Sequence, residues 1–430
     1  MMFTNMLKPS IHLITFLAAG AIVVFFLDTG KAQENGFTLR ECYELALKQS
    51  ETIAIQEQVI KEAEGRFLQA FSGILPDVSY EVSEERRDVA TDSSSRKIRE
   101  RRFTFTQPLF TGFKEFAAIA AGRAEKKQRR HELRRAQELL FTDVTDAFYF
   151  FLSFQDDVET LSTVRQALTE RVKELKEREE LGRSRASEVA SAQARLSRIE
   201  ADLEDVKGQW EIARQLLVFL TGRDIQNVAD ESQQVSLSLI ENYLARSERR
   251  SDVQAGFEAW QVEQKKTAVA RANFFPAVNA EGNYYEQREG SSADNDWDVT
   301  FTVDVPIFQG GENVGLFKEA KAVAAQEELR YKELKRRAEL EIKNAYTNAE
   351  VTLRKESALR RAYDAAQENY TLQLEDYRRN LVNNLDVLQA LEDLQDMRRA
   401  WTNAENETKH FYWNLLVASG DLHDTLGPID

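Results

Sequence analysis

The chain has 430 residues, of which 42% are hydrophobic and 30% are charged, and its formal net charge is −15 at pH 7. This acidic balance argues against nucleic acid as a partner, because phosphates and an acidic surface repel each other. Only 18 glycines and 6 prolines occur, and so few helix-breaking residues are typical of long helices rather than of several compact domains.

The N-terminus has the order of a secretory signal peptide. Lys8 precedes an apolar run at 11–27, which is followed by Gly30 and the small residue Ala32. We predict cleavage near Ala32, so that residues 1–32 are removed from the mature chain. A retained membrane anchor is the alternative, since a run of about 17 residues is at the short end of the lengths that cross a bilayer.

The mature chain opens with a helix and a strand. Thr38 and Glu41 have the spacing of a capping box, which predicts the start of a helix at 39–74. Apolar and polar residues then alternate around Tyr80, which predicts a strand with two different faces. The charged and serine-rich segment 84–97 predicts an exposed loop.

The stretch FTFTQPLFTG, residues 103–112, marks a change of period. Its aromatic residues alternate with threonines, as in a strand. Pro108 is predicted to end the ladder because proline has no backbone N–H to donate. After Gly112 the sequence has a helical period as far as Gly182. An apolar seam with coiled-coil spacing follows this helix, and it consists of Phe141, Val144, Phe148, Phe151, Val158, Leu161, Val164, Leu168, Val172 and Leu175.

A further helix is predicted at 186–220, where Gly222 has the position of a glycine C-cap, and a polar linker at 223–236 follows. The whole series then recurs about 200 residues later. The second copy comprises a helix at 237–275, a strand at 278–285, a loop at 286–296, a strand at 299–305, a long helix at 314–379 and a helix at 385–418.

The proline, glycine and asparagine residues at the ends of the predicted elements occupy corresponding positions in the two copies. They are Pro76 and Pro276, Pro108 and Pro306, Gly112 and Gly310, Gly182 and Asn380, and Gly222 and Gly420. Glycine and asparagine adopt left-handed backbone most readily, so we predict that conformation at Gly182 and Asn380. The predicted organisation is a first repeat at 33–222 with a β-hairpin at 77–108, the linker at 223–236, and a second repeat at 237–430 with a β-hairpin at 277–306.

The sequence contains no recognisable catalytic or metal site. It has no nucleophile motif, phosphate-binding loop or dinucleotide fingerprint. Its four histidines, His12, His131, His410 and His423, lack metal-ligand spacing. Cys42 is the single cysteine, and we interpret it as a small core residue. The sequence therefore predicts neither an enzyme nor a cofactor.

The lengths of the elements predict a cylinder wall rather than a globule. The long helix after Gly112 would span roughly 100 Å, and two shorter helices of roughly 50 Å each would match it end to end. The strands approach the length of tilted transmembrane strands. Four strands cannot close a barrel, and lipid does not tolerate an open edge, so several chains must share one barrel. A soluble sheet packed on helices is the alternative.

This pattern resembles the TolC family of bacterial outer-membrane efflux channels. The resemblance rests on the duplication, on the junctions QPLFTG and VPIFQGG, on the LP and FP ends of the first helix of each repeat, and on the helix ends LTG and ASG. It implies a mainly α-helical fold with membrane β-structure. Three identical chains would form a 12-stranded barrel in outer-membrane lipid, continued by a 12-helix tunnel across the periplasm. A periplasmic adaptor and an inner-membrane transporter would dock at the far end.

The resemblance also implies an entrance at the helix turns near Gly182 and Asn380. Asp386 matches the first of two family aspartates that form acidic rings, and Gln389 replaces the second. Tyr377 matches a tyrosine that helps to close the entrance, and Glu188 has the position of an acidic partner. The family's arginine is replaced by Val382, which makes a hydrogen bond between Tyr377 and Glu188 the remaining candidate latch.

Each of these residues also has a structural interpretation. Asp386 can cap the last helix, Glu188 can interact with a helix dipole, and Tyr377 can be a packing residue. For the chain as a whole, the predicted function is a passive exit duct for efflux or type I secretion. The alternative is a periplasmic coiled-coil adaptor or structural protein outside the membrane.

Overall fold

The computed structural model describes residues 36–89, 92–231, 234–289, 294–379 and 381–427. The predicted signal peptide and Asn380 lie outside these residues. The first half contains α1 (Leu39–Gln49), α2 (Glu51–Ser72), β1 (Asp77–Val89), β2 (Asp92–Thr111), α3 (Lys114–Glu180) and α4 (Ala186–Thr221). The second half contains α5 (Ile240–Leu244), a 3-10 turn (Ser247–Arg249), α6 (Ser251–Ala272), β3 (Ala277–Arg288), β4 (Trp297–Asp304), α7 (Glu312–Arg378), α8 (Asn384–Ser419) and α9 (Leu422–Leu426).

The element lengths repeat between the halves. Helices α2 and α6 have 22 residues each, α3 and α7 have 67 each, and α4 and α8 have 36 each. The long helices therefore extend for about 100 Å. Within the described residues, no helix has both the length and the hydrophobicity needed to cross a membrane.

The helices form a wall with α3 at its centre. Helix α3 packs against α2 and α6 along its first part and against α4 and α8 along its second, while α7 packs against α6 and α8. Nine residues of the predicted seam are buried, and Val158 packs, partly buried, against the cluster that contains the last five of them. The seam was therefore predicted correctly, because apolar residues at coiled-coil spacing share one helix face.

The first helix of each half is broken, which the sequence did not predict. Thr38 and Glu41 form the expected capping box, but α1 ends before Ser50. Ser50 has extended backbone, and its hydroxyl accepts a hydrogen bond from the N–H of Ile53 at 3.4 Å, which starts α2. Serine competes with helical hydrogen bonds in this way. In the second half, Arg250 has the corresponding extended backbone before α6.

The first hairpin is longer than predicted. The segment 84–97 was expected as an exposed loop, but its residues 84–89 and 92–97 continue both strands, which pair from Asp77–Thr106 as far as Val89–Asp92; residues 90 and 91 lie outside the described residues. At the base of this extension, Arg99 forms an ion pair with Glu84 at 3.3 Å. Further along, Arg86 lies opposite Lys97 and Arg87 opposite Arg96. The backbone ladder rather than charge complementarity therefore extends the hairpin, and polarity alone was a misleading indicator of a loop.

Pro108 does not end its strand, contrary to the prediction. Strand β2 loses its β1 partner after Thr106 but stays paired with β3 as far as Thr111. The register shifts between Pro108 and Phe110, and such an irregularity, next to an unpaired edge, tolerates a missing N–H. Pro306 does follow the end of β4 at Asp304, as predicted.

Gly112 occupies a junction that only glycine can fill. Its φ is +66°, and an added Cβ would lie 2.7 Å from the carbonyl oxygen of Ala272 and 2.8 Å from Cβ of Phe275. Gly182 also has the predicted left-handed backbone, with φ +70°. The C-caps at Gly222 and Gly420 are left-handed as well.

The segment 223–236 is more than a polar linker. Ile225 and Val228 are buried in the core that α1, α3 and α4 share. Phe37 donates its N–H to the carbonyl of Asn227 at 2.9 Å and accepts from the N–H of Ala229 at 3.0 Å. The first part of the connection between the halves, residues 225–229, is therefore held against the helical wall.

Candidate functional site

The four strands form one antiparallel sheet in the order β1-β2-β3-β4. Its register places the apolar residues on one face, because directly paired residues point the same way. Tyr80, Phe103, Tyr284 and Trp297 form one row across all four strands. The apolar face, which is 40–68% exposed at each of these positions, comprises Val78, Tyr80, Val82, Phe103, Phe105, Tyr284, Trp297, Val299, Phe301 and Val303.

The opposite face of the sheet is polar and hydrogen-bonded. Thr104 donates to Asn283 at 2.9 Å, and Asn283 donates to Asp298 at 2.9 Å. Tyr285 donates its hydroxyl to the same carboxylate at 2.7 Å. The sheet thus has an uncovered apolar face and a face whose polar groups satisfy one another, which suits a boundary between lipid and water.

The predicted junction residues lie where strands meet helices. Pro76 and Pro276 stand immediately before β1 and β3. Gly112 and Phe113 are the last two residues before α3. Gly310 has left-handed backbone before α7. Exposed aromatic residues gather at this level, including Phe113, Phe116, Phe274, Phe275 and Phe308. Aromatic residues are typical of the interface levels of membrane barrels.

At the opposite end of the helices, Tyr377 is held by two arginines of α3. The guanidinium of Arg171 lies 4.0 Å and that of Arg178 5.0 Å from the centre of its ring. Arg178 also donates to the hydroxyl of Tyr377 at 3.2 Å. Arg171 donates to the buried side chain of Asn384, the first residue of α8, at 2.9 Å. These four residues form the arginine clamp, which joins both ends of the α7–α8 turn to α3.

The arginine clamp was not found by sequence reasoning. Tyr377 was identified, but with Glu188 as its candidate partner. The structure places no hydrogen bond between these two side chains, and Glu188 instead accepts one from Ser184 at 2.6 Å beside the α3–α4 turn. Arg171 and Arg178 are distant from Tyr377 in sequence and are interspersed with glutamates, as on a solvated helix face, so no local signal distinguished them.

Asp386 caps α8, which is the structural role that the sequence suggested for it. Its carboxylate accepts from the N–H of Asn383 at 3.1 Å, and its own N–H donates to the side chain of Asn383 at 3.2 Å. Gln389 lies one turn further, is exposed, and donates to Asp393 at 3.1 Å.

Cys42 is a core residue, as predicted. Its side chain is fully buried, and burial raises the pKa of the thiol to about 12, so the reactive thiolate does not form near neutral pH. Within the described residues, no group of three or more His, Cys, Asp or Glu is arranged to hold a metal ion.

Comparisons with known proteins agree with this architecture. The sequence profile described as "Outer membrane efflux protein" matches residues 42–223 and 243–421, one match in each half. The outer membrane protein TolC of Vibrio cholerae is 24% identical over 243 residues, which is 52% of this chain and 55% of TolC. The match thus spans about half the length of that relative.

Solved structures share the fold at low sequence identity. The outer membrane protein VceC of Vibrio cholerae has a TM-score of 0.76 at 20% identity, covering 89% of this chain and 96% of VceC. The CmeC outer membrane channel of Campylobacter jejuni has a TM-score of 0.74 at 16% identity, covering 96% and 94%. The chain belongs to the outer membrane efflux protein family and is a TolC homologue of the Gram-negative outer membrane that reaches into the periplasm.

Proposed function

We propose that three copies of this chain assemble into an outer-membrane exit duct that is passive and takes its energy from an inner-membrane transporter. The sheet carries this proposal. Its apolar face is exposed across all four strands, and the outer edges of β1 and β4 have no partner strand within the described chain. Neither edge can stay open in a bilayer, because its backbone N–H and C=O groups would have no hydrogen-bond partner there. Pairing β1 of one copy with β4 of the next removes both edges, and three copies give twelve strands.

The helices continue the barrel as a tunnel in this proposal. Helix α3 and helix α7 leave the sheet at the junction glycines and run for about 100 Å. Three copies of the helical wall would enclose a tunnel across the periplasm. Within each chain we retain the division into two repeats, 33–222 and 237–430, which the matched helix lengths support.

The far end of the tunnel is the proposed docking site for a periplasmic adaptor and its inner-membrane transporter. Leu181, Leu381 and Leu385 lie at the two helix turns, and their side chains are exposed. Exposed apolar residues at the end of a long polar wall are typical of a protein interface. They support a partner that covers both turns.

We further propose that the arginine clamp holds the tunnel entrance closed. Replacing Arg171 by glutamine removes its stacking on Tyr377 and weakens its hold on Asn384. We expect about tenfold more frequent opening of the reconstituted channel, because a cation–π contact and a charged hydrogen bond together contribute about 1–3 kcal/mol. Single-channel recording in planar bilayers measures this. Arg165→Gln, on an exposed position of the same helix, is the control, and an equal response of both variants would contradict the clamp.

Asp386 is proposed to line the entrance as a ring of three carboxylates. Asp386→Asn keeps an oxygen that can accept from the N–H of Asn383 and so retains the cap, but it removes the charge. We expect weaker block of the reconstituted channel by divalent cations, since like charges in a narrow opening attract them. Gln389→Asp is expected to strengthen the block. Unchanged block in both variants would leave Asp386 with its capping role only.

The proposal as a whole is tested by extracting the protein from membranes and measuring its mass in detergent. Three chains per particle support the duct. A soluble single chain that needs no detergent would contradict it.

A further inference from the structure

Five charged residues form a continuous belt across the polar face of the sheet. They are Glu81, Glu100, Arg102, Arg288 and Asp298, here called the charged belt. Arg102 contacts Glu81 at 2.7 Å and Glu100 at 3.3 Å. Arg288 contacts Glu100 at 3.5 Å and Asp298 at 3.7 Å. Glu100 thus joins two arginines, and the belt reaches from β1 through β2 and β3 to β4.

A β-bulge brings Arg288 into the belt. Arg102 pairs with Tyr285 and Arg101 pairs with Gln287, so that Glu286 is an extra residue in β3. Without this extra residue, strand alternation would turn Arg288 to the apolar face, because side chains alternate with a period of two. With it, Arg288 lies opposite Glu100 on the polar face. Bulges commonly re-aim a side chain at a functional position.

The three central members of the belt, Arg102, Glu100 and Arg288, are held in place rather than free in solvent. The guanidinium side chains of Arg102 and Arg288 are 29% and 21% exposed, and Glu100 is 23% exposed. Arg288 additionally stacks on the ring of Tyr285, with 4.0 Å between the guanidinium carbon and the ring centre. Half-buried charges on a fixed scaffold are weakly screened and create a stronger local field than mobile surface charges.

We infer that the charged belt sets the charge selectivity of the duct at its outer, barrel end. The inference rests on the proposed function, in which the polar face of the sheet lines the lumen. The belt contains three carboxylates and two guanidinium groups, which leaves an excess of one negative charge per chain. Its arginines offset its carboxylates. The barrel therefore favours cationic solutes modestly and admits anionic ones, and this balance changes when either kind of charge is removed.

Two substitutions of opposite sign test the inference. Arg288→Gln leaves Glu100 and Asp298 less compensated, and we expect the ratio of potassium to chloride permeability to rise by about twofold or more. Glu100→Gln removes the carboxylate that Arg102 and Arg288 share, so their positive charges are less compensated. We expect the ratio of potassium to chloride permeability to fall by about twofold or more. The ratio is obtained from the reversal potential of reconstituted channels in a potassium chloride gradient. Glu81→Gln is a second carboxylate variant, and it is expected to act in the same direction as Glu100→Gln.

A matched control lies on the same strand. Arg99 pairs with Glu84 on the opposite face of β2, so Arg99→Gln removes the same charge outside the proposed lumen. It should leave the permeability ratio unchanged. Conducting variants with an unchanged ratio, or an equal effect of Arg99→Gln, would overturn the inference and leave the duct standing. A wild-type protein that inserts into the bilayer without conducting would overturn the proposed function and the inference together.

Discussion

Replacing Arg250 by alanine is expected to lower the free energy of unfolding by about 2–3 kcal/mol, because it removes several hydrogen bonds to charged groups and leaves the partly buried carboxylate of Asp252 uncompensated. The side chain of Arg250 is only 1% exposed. It donates to both carboxylate oxygens of Asp252 at 3.1 and 2.8 Å, to Glu341 at 2.6 Å and to the carbonyl of Ala418 at 3.0 Å. One side chain therefore ties the start of α6 to α7 and to the end of α8.

The loss should depend on pH in a defined direction. Burial alone would raise the pKa of Asp252, but its hydrogen bonds and ion pair with Arg250, together with Arg135, hold that pKa below its ordinary value. A carboxyl whose pKa is lowered by folding contributes stability above its unfolded pKa of about 3.9 and loses it as the pH falls through the folded value. The difference between wild type and Arg250→Ala should thus be largest near neutral pH and shrink below about pH 4.

Thermal denaturation of the detergent-solubilised protein across this pH range measures the effect. Arg250→Lys is the matched variant, because it keeps the charge but loses the bidentate contact with Asp252. We expect its melting temperature to lie between those of the wild type and Arg250→Ala. Equal melting temperatures for wild type and Arg250→Ala would show that this network does not stabilise the junction of the three helices.

The second large effect concerns the apolar face of the sheet. Phe301→Arg places a charge among exposed apolar side chains, and at the middle of a bilayer such a charge costs about 2–4 kcal/mol per chain. Three copies in one barrel would multiply the cost. We expect Phe301→Arg to be depleted from the outer-membrane fraction and to yield little assembled protein.

The neighbouring residue provides the control. Thr300 lies on the polar face, opposite Glu281 of β3. Thr300→Arg therefore adds the same side chain at a position where it can form an ion pair with a carboxylate. It should reach the outer membrane at the level of the wild type. The reverse result, with Thr300→Arg depleted and Phe301→Arg retained, would mean that the assigned faces of the sheet are interchanged.

Local sequence signals predicted most of the regular structure. The change from a two-residue to a helical period located β2 and α3, and Gly112 marked the junction between them, although not that this junction requires glycine. The repeat of these signals predicted the matched helices of the second half. The signals succeeded because they report on backbone conformation and on which face of an element is buried, both of which are set within a few residues.

Three of the failures have a common physical cause, which is pairing between distant residues. The described part of segment 84–97 is strand because its two arms pair through their backbones across the hairpin. Pro108 stays in its strand because β3 is beside it and β1 is not. The partners of Tyr377 were missed for the same reason, since Arg171 and Arg178 are on another helix. Only the folded chain brings these groups together, so composition within a short window could not indicate them.

The mass of the membrane-extracted protein in detergent tests the central proposal most directly, since neither edge of a four-stranded sheet can remain open in lipid. Native mass spectrometry after release from the detergent micelle counts the chains in each particle. We predict three chains per particle, and no folded protein in detergent-free buffer. A stable, detergent-free single chain, or a particle with another number of chains, would contradict the shared twelve-stranded barrel.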